Sequence, residues 1–257
     1  MRVGPYKFSP TLVPTLATVL LVGLLMWLGN WQLGRADYKQ SERDKRKINT
    51  TLPAVALTSS DLNVKKMLGR KTNTTGHFDT KHEAVLAYQK YNGYPGFLVL
   101  SPFLIANSDV YVLVIRGWIP QSKGFTELPL IPDAVLGRIK LRGFVDRVPA
   151  VGLKTGKPDG QFAKQWPKML IYADLDWYRK KLGNKFLPYV VKQTHRNSPG
   201  LINDWNAFAV QRERMPAEKH WGYALQWFSL AIVLLILYAA LNLTRVIPVS
   251  ENSNKEP

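Results

Sequence analysis

With 257 residues and two long apolar stretches, the chain has room for one ordinary soluble domain besides them. Lysine and arginine number 35 against 18 acidic residues, and the surplus sits in the middle, where residues 36–219 carry 30 basic and 16 acidic side chains. The absence of cysteine excludes disulfides, thiolate metal sites and thiol catalysis. A positive field of this size attracts anionic lipid headgroups, acidic protein faces or nucleic acid. A domain tethered at both ends to one bilayer favours the first two.

Taken from the N-terminus, residues 1–10 form a short leader to the first apolar stretch, which is expected to span a membrane over 11–34. No charge occurs from Phe8 to Gly34, and a spanning helix needs about 20 apolar residues. Arg2 and Lys7 give it a basic start, as in a signal peptide. No small-x-small cleavage site follows, however, so an uncleaved anchor is the reading adopted. The second span is expected over 220–243, inside a charge-free run from Trp221 to Thr244, and 244–257 form a tail. Trp27, Trp31, Trp221, Tyr223 and Trp227 lie toward the domain-side ends, where an aromatic belt belongs. Two spans place both termini on one side. Arg35, Lys39, Arg43, Lys45, Arg46 and Lys47 follow the first span, and a simple positive-inside count would put the domain in the cytoplasm. Long loops obey that rule poorly, so charge leaves the orientation open.

Between the spans, 35–219 read as an α+β domain. Charged residues 36–47 continue the first helix. Ser59 or Ser60 is expected to cap a short helix through Leu68, closed by Gly69. Strand-type runs follow at 83–88, 96–105, 110–118, 138–145 and 186–193, rich in Val, Ile, Leu and aromatics. Turns are expected at Asn92-Gly93-Tyr94-Pro95-Gly96 and at 106–109. Residues 150–168 read as a surface loop. A helix capped by Asp174 or Asp176 carries Leu175, Tyr178 and Leu182 on one face and stops at Gly183. The fold class expected is therefore two transmembrane helices flanking a mostly antiparallel β domain, a small barrel or curled sheet. The last dozen residues read as a disordered tail.

Most catalytic patterns fail. His82-Glu83 is not followed by a second histidine at position 86, which is Leu, so the zinc-protease helix is absent. His77 and His82 are five apart, which suits neither a helical nor a strand face, and both read as surface residues. There is no phosphate loop and no Gly-x-Ser-x-Gly elbow. Basic residues occur without any nucleic-acid-binding signature.

His220 stands apart. At 100° per residue, Tyr223, Ala224 and Trp227 fall within about 60° of it on one helical face. An imidazole among aromatics at a membrane boundary can ligate a haem iron, or it can simply bond headgroups or a partner helix. Arg35 likewise pairs with a propionate or an acidic group, or snorkels as an ordinary interfacial arginine. Arg116-Gly117-Trp118 closes a strand; glycine there permits a bulge or close approach, and Trp118 suits a core or interface.

These pieces form an ordered set. Trp31-Gln32-Leu33-Gly34-Arg35 ends the first span, Gly93-Tyr94-Pro95-Gly96-Phe97 leads toward Arg116-Gly117-Trp118-Ile119-Pro120, and His220-Trp221-Gly222-Tyr223-Ala224-Leu225-Gln226-Trp227 opens the second. The set resembles the surfeit-locus (Shy-type) family of cytochrome c oxidase assembly proteins, over nearly the whole chain. Ile115 stands where that family's pattern places a polar residue, often Asn, so no role is assigned to its side chain.

The resemblance implies a non-enzymatic chaperone that helps insert haem a into the catalytic subunit of a haem-copper oxidase. That subunit, haem a synthase and membrane lipids are the implied partners; nucleic acid is not. It implies a domain in the periplasm, or in the intermembrane space in mitochondrial relatives, with residues 1–10 and 244–257 on the cytoplasmic side. It also implies His220 as axial ligand with Tyr223, Trp227 and Arg35 beside the cofactor. The first span starts too early for a mitochondrial transit peptide, which favours a bacterial plasma membrane. Trp31, Gln32, Gly96, Arg116, Gly117, Trp118 and Gln226 are implied as partner-binding or structural positions. A cofactor-free scaffold that binds oxidase subunits is the main alternative. A tethered hydrolase lacks nucleophile–base motifs, and a sensor is weakened by a cytoplasmic tail too short to signal.

Overall fold

The structure is a computed structural model that describes residues 2–3, 6–122, 124–125, 127–149, 156–159, 166–194, 200–205 and 215–245. The expected disordered tail and most of the expected loop at 150–168 lie outside them. Ten strands and four helices are named in chain order: β1 (Arg2–Val3), β2 (Tyr6–Phe8), α1 (Leu12–Thr51), α2 (Val64–Met67), β3 (Lys71–Phe78), β4 (Ala84–Tyr91), β5 (Tyr94–Ile105), β6 (Val110–Pro120), β7 (Ile139–Asp146), β8 (Lys168–Leu170), α3 (Leu175–Leu182), β9 (Lys185–Gln193), α4 (Ala217–Asn242) and β10 (Leu243–Arg245). They divide into two compact units, Met1–Glu42 with Arg214–Pro257, and Arg43–Glu213.

In the first unit α1 and α4 are long and apolar enough to cross a membrane, and little of their most apolar stretch is buried within the protein. What is buried forms a narrow seam. On α4 the less exposed positions are Ala217, His220, Ala224, Trp227, Phe228, Ala231, Leu234 and Tyr238; on α1 they include Thr15, Val22, Leu25, Gly29, Gln32 and Ala36. Steps of three and four keep one stripe of each helix facing its partner. The pair is antiparallel, because Thr15 meets Tyr238 at one end (Oγ1 to OH, 2.6 Å) and Gln32 meets His220 at the other. Glycine at position 29 has a steric reason. A Cβ there would stand 2.5 Å from the ring of Phe228. Close approach over small residues is how helices gain dispersion contacts where lipid removes the hydrophobic drive.

The second unit is a closed mixed barrel. Its circuit runs β3-β7-β9-β6-β5 and returns to β3, while β4 and β8 extend it along β5. Most pairings are antiparallel, as expected, but β6 with β9 and β4 with β8 are parallel. The 12-residue β5 makes closure possible. One of its edges serves β4 along residues 94–100 and β3 along residues 103–105, while the other pairs with β6. Inside lie Phe103, Val112, Val114, Leu141, Leu187, Tyr189 and Val191. On the opposite faces of β6 and β9, Leu113, Ile115 and Val190 pack against α3 through Leu175, Trp177 and Tyr178.

Local chemistry explains the elements. Asn92 and Gly93 both take positive φ (48° and 85°), the two-residue hairpin that Asn-Gly favours, with Tyr91 opposite Tyr94. Asp174 Oδ1 accepts from the backbone of Asp176 and Trp177 to start α3. The short α2 departs from expectation: its cap is Asn63, whose Oδ1 accepts from Lys66 N, while Ser60 belongs to a turn with Thr58 and Asp61. The expected loop at 150–168 also ends sooner, since Lys168 is buried and begins β8.

Candidate functional site

The helix pair brings together residues 188 positions apart in sequence, Gln32 and His220. Glu218 sits in the first turn of α4, and His220 follows on its inward face with 6% of its surface exposed. Its Nδ1 lies 2.7 Å from Gln32 Oε1. A side-chain amide oxygen can only accept, so Nδ1 carries the proton and donates. A neutral imidazole in that tautomer keeps its lone pair on Nε2, the arrangement that a metal-ligating histidine uses with an outer partner on its other nitrogen.

The other expected residues are distributed unevenly around this pair. Trp227 shares the seam of α4 with His220, two turns on, whereas Tyr223 is 43% exposed and Gln226 faces outward. Trp31 is half-exposed next to Gln32 in sequence. Arg35 is exposed one turn beyond Gln32; its guanidinium lies 5.7 Å from the Tyr38 ring, and it makes no ion pair among the described residues. Among the described residues no three His, Cys, Asp or Glu side chains gather as a metal cage.

The remaining motif residues belong to the barrel. The β5–β6 register shifts between Val99, opposite Gly117, and Leu100, opposite Ile115, so Arg116 is the extra residue of a bulge. Arg116 follows Val112 and Val114 onto the inward face, where its side chain is fully buried. Nη1 donates to Glu83 Oε1 (2.7 Å), Nη2 donates to the Pro132 carbonyl (2.7 Å), and Ser101 Oγ donates to the same Glu83 oxygen. Gly117 backs onto Leu201, and Gly96 onto Ile119 and Trp118, with no room for a Cβ at either. Trp118 is buried and donates from Nε1 to the Gln89 carbonyl. These positions are core architecture.

Two partners were not visible beforehand. Gln32 figured only as a motif residue, although a glutamine inside an apolar run signals a buried hydrogen bond. Glu83 carried no signal except that an arginine inside a strand needs a carboxylate. His77 is exposed, while His82 is half-buried, with Nδ1 2.6 Å from Asp79 Oδ2 and the ring edge-on to Trp166.

The sequence pattern of the SURF1 family matches residues 19–232, most of the chain. A curated relative from Saccharomyces cerevisiae (strain ATCC 204508 / S288c), the cytochrome oxidase assembly protein SHY1, is 30% identical over 100 residues. That stretch covers 38% of this chain and 25% of the yeast protein, so the match spans about a quarter of the relative's length.

Proposed function

The chain belongs to the SURF1 family, and from that membership and the His220–Gln32 pair we propose that it is a non-catalytic assembly factor for cytochrome oxidase that handles haem a. The observation that carries the haem reading is the hydrogen bond from His220 Nδ1 to Gln32, which fixes the tautomer with Nε2 as the basic nitrogen. The residue types beside the pair suit such a group. Haem a would supply an iron that can bind an imidazole nitrogen, together with a large apolar macrocycle and anionic propionates. His220 would hold the iron, Gln32 would keep the imidazole from rotating, and Trp227 would present an aromatic wall. Exposed Arg35, lacking an ion-pair partner among the described residues, suits a propionate. Tyr223, exposed, would meet the cofactor only from the outer face of α4.

In this reading the two helices anchor the protein in a bacterial plasma membrane with the barrel in the periplasm, facing the catalytic subunit of the oxidase. Haem a synthase would be the donor and membrane lipids the surroundings. The surplus of basic side chains suits docking on acidic surfaces.

A second reading rests on the burial of the same pair. A polar lock between two apolar helices is already satisfied by one hydrogen bond, and a cofactor-free scaffold would need no more. Complementation separates the two. In cells lacking the protein, the wild-type chain restores haem a in the oxidase catalytic subunit. His220→Ala is expected to leave that subunit short of haem a while the chain still co-purifies with it. Full restoration by His220→Ala would favour the scaffold.

A further inference from the structure

Within the barrel unit, a cleft of about 520 Å3 opens between the C-terminal end of α1 and the outer face of β3 and β7. Thr50 and Ala54 form one side; Lys71, Asn73, Arg142 and Phe144 form the other. The volume is in the range of small-ligand and peptide side-chain pockets. Register places the four strand residues as a block, with Lys71 opposite Phe144 and Asn73 opposite Arg142. The two cations are thus diagonal neighbours on one face, about 7–8 Å apart at the backbone.

Their electrostatic state differs from that of the cations nearby. Lys192 is buried against Asp146, and Arg46 reaches the same carboxylate at 3.9 Å. Lys71 and Arg142 are exposed and make no ion pair among the described residues. Between them, Asn73 Oδ1 is buried and accepts from no donor among the described residues. A buried acceptor left unmet is destabilising. The cleft therefore asks for three things in one ligand: a negative group, an N–H donor, and apolar surface against Phe144 and Ala54.

A lipid headgroup or free carboxylate meets the first demand. A peptide with an acidic side chain meets all three. We propose that this cleft is a docking site for an acidic segment of a partner protein, its carboxylate held by Lys71 and Arg142 and a backbone N–H donated to Asn73 Oδ1. This goes beyond the haem reading and does not depend on it.

The test uses the full-length chain in detergent at low ionic strength. The probe is a blocked, fluorescein-labelled hexapeptide alternating Glu and Ala, followed by anisotropy. Lys71→Gln/Arg142→Gln is expected to weaken binding about ten-fold or more. Lys157→Gln/Lys180→Gln, which removes the same charge from exposed positions elsewhere, is expected to change it less than about two-fold. Asn73→Ala weakens the peptide and leaves acetate competition unchanged. Thr194→Trp, which fills the cleft without altering charge, blocks the peptide. The proposal is overturned by equal losses in the two double variants, by equal binding of the Gln-for-Glu peptide, or by no peptide binding at all. It is also overturned if phosphatidylglycerol vesicles, and not the peptide, depend on Lys71 and Arg142.

Discussion

Among the described residues Arg116 is the largest side chain that is fully buried. Its side chain is wholly enclosed, and Glu83, Ser101 and the Pro132 carbonyl are arranged around it. Removing one member of a buried ion pair strands the other charge, at a cost of about 3–5 kcal/mol. Arg116→Met is therefore expected to lower the chaotrope midpoint, read by tryptophan fluorescence, by far more than substitution of exposed Lys180. A second buried pair gives a pH signature. Burial alone would raise the Asp146 carboxyl, but Lys192, the Arg147 amide and Arg46 together hold it below the ordinary carboxylate range. A depressed carboxylate adds stability above its unfolded value near pH 4 and loses it as pH falls through the folded value. In Lys192→Met the buried carboxylate loses its nearest cation and keeps only Arg46 and the Arg147 amide. The stability gap between that variant and the wild type should be widest at neutral pH and close as pH falls below about 4. A gap that stays constant with pH would contradict this assignment.

At the scale of elements, the α1–α4 seam makes the sharpest claim. Gly29→Ala drives a methyl into Phe228, so thermal stability in detergent should fall by about 1–3 kcal/mol, and Phe228→Ala in the same chain should recover most of it. Strict additivity of the two substitutions would mean that the contact carries no energy. The seam also marks what the sequence conveyed and what it did not. Apolar length announced both helices, but the residues that face each other were hidden, because lipid-facing and partner-facing positions are equally apolar. Strands with two buried faces, β5 and β6, announced themselves as long apolar runs. By contrast, β3 was missed. Its inward positions are Thr72, Thr74, Gly76 and Phe78, and the two threonines satisfy each other and the Leu57 amide by hydrogen bonds, leaving no apolar alternation to read. The three-residue β8 was too short for any pattern.

On the scale of the whole molecule, the order of elements alone indicated two anchors around a barrel, because each unit closes on its own contacts. Closure through two parallel pairings was not legible, since register between distant strands is set by tertiary packing. The candidate site was legible in half. His220 stood out by its place at the head of α4, but Gln32 did not, because a partner 188 residues away becomes a neighbour only when the helices pair. That pairing carries the central claim, that Gln32 holds His220 ready to bind the iron of haem a. The most direct test is the optical spectrum of the purified chain from cells that make haem a. Haem a is expected in the wild type, lost in His220→Ala, and bound about 10–100-fold more weakly in Gln32→Leu. Equal haem a in all three proteins would contradict it.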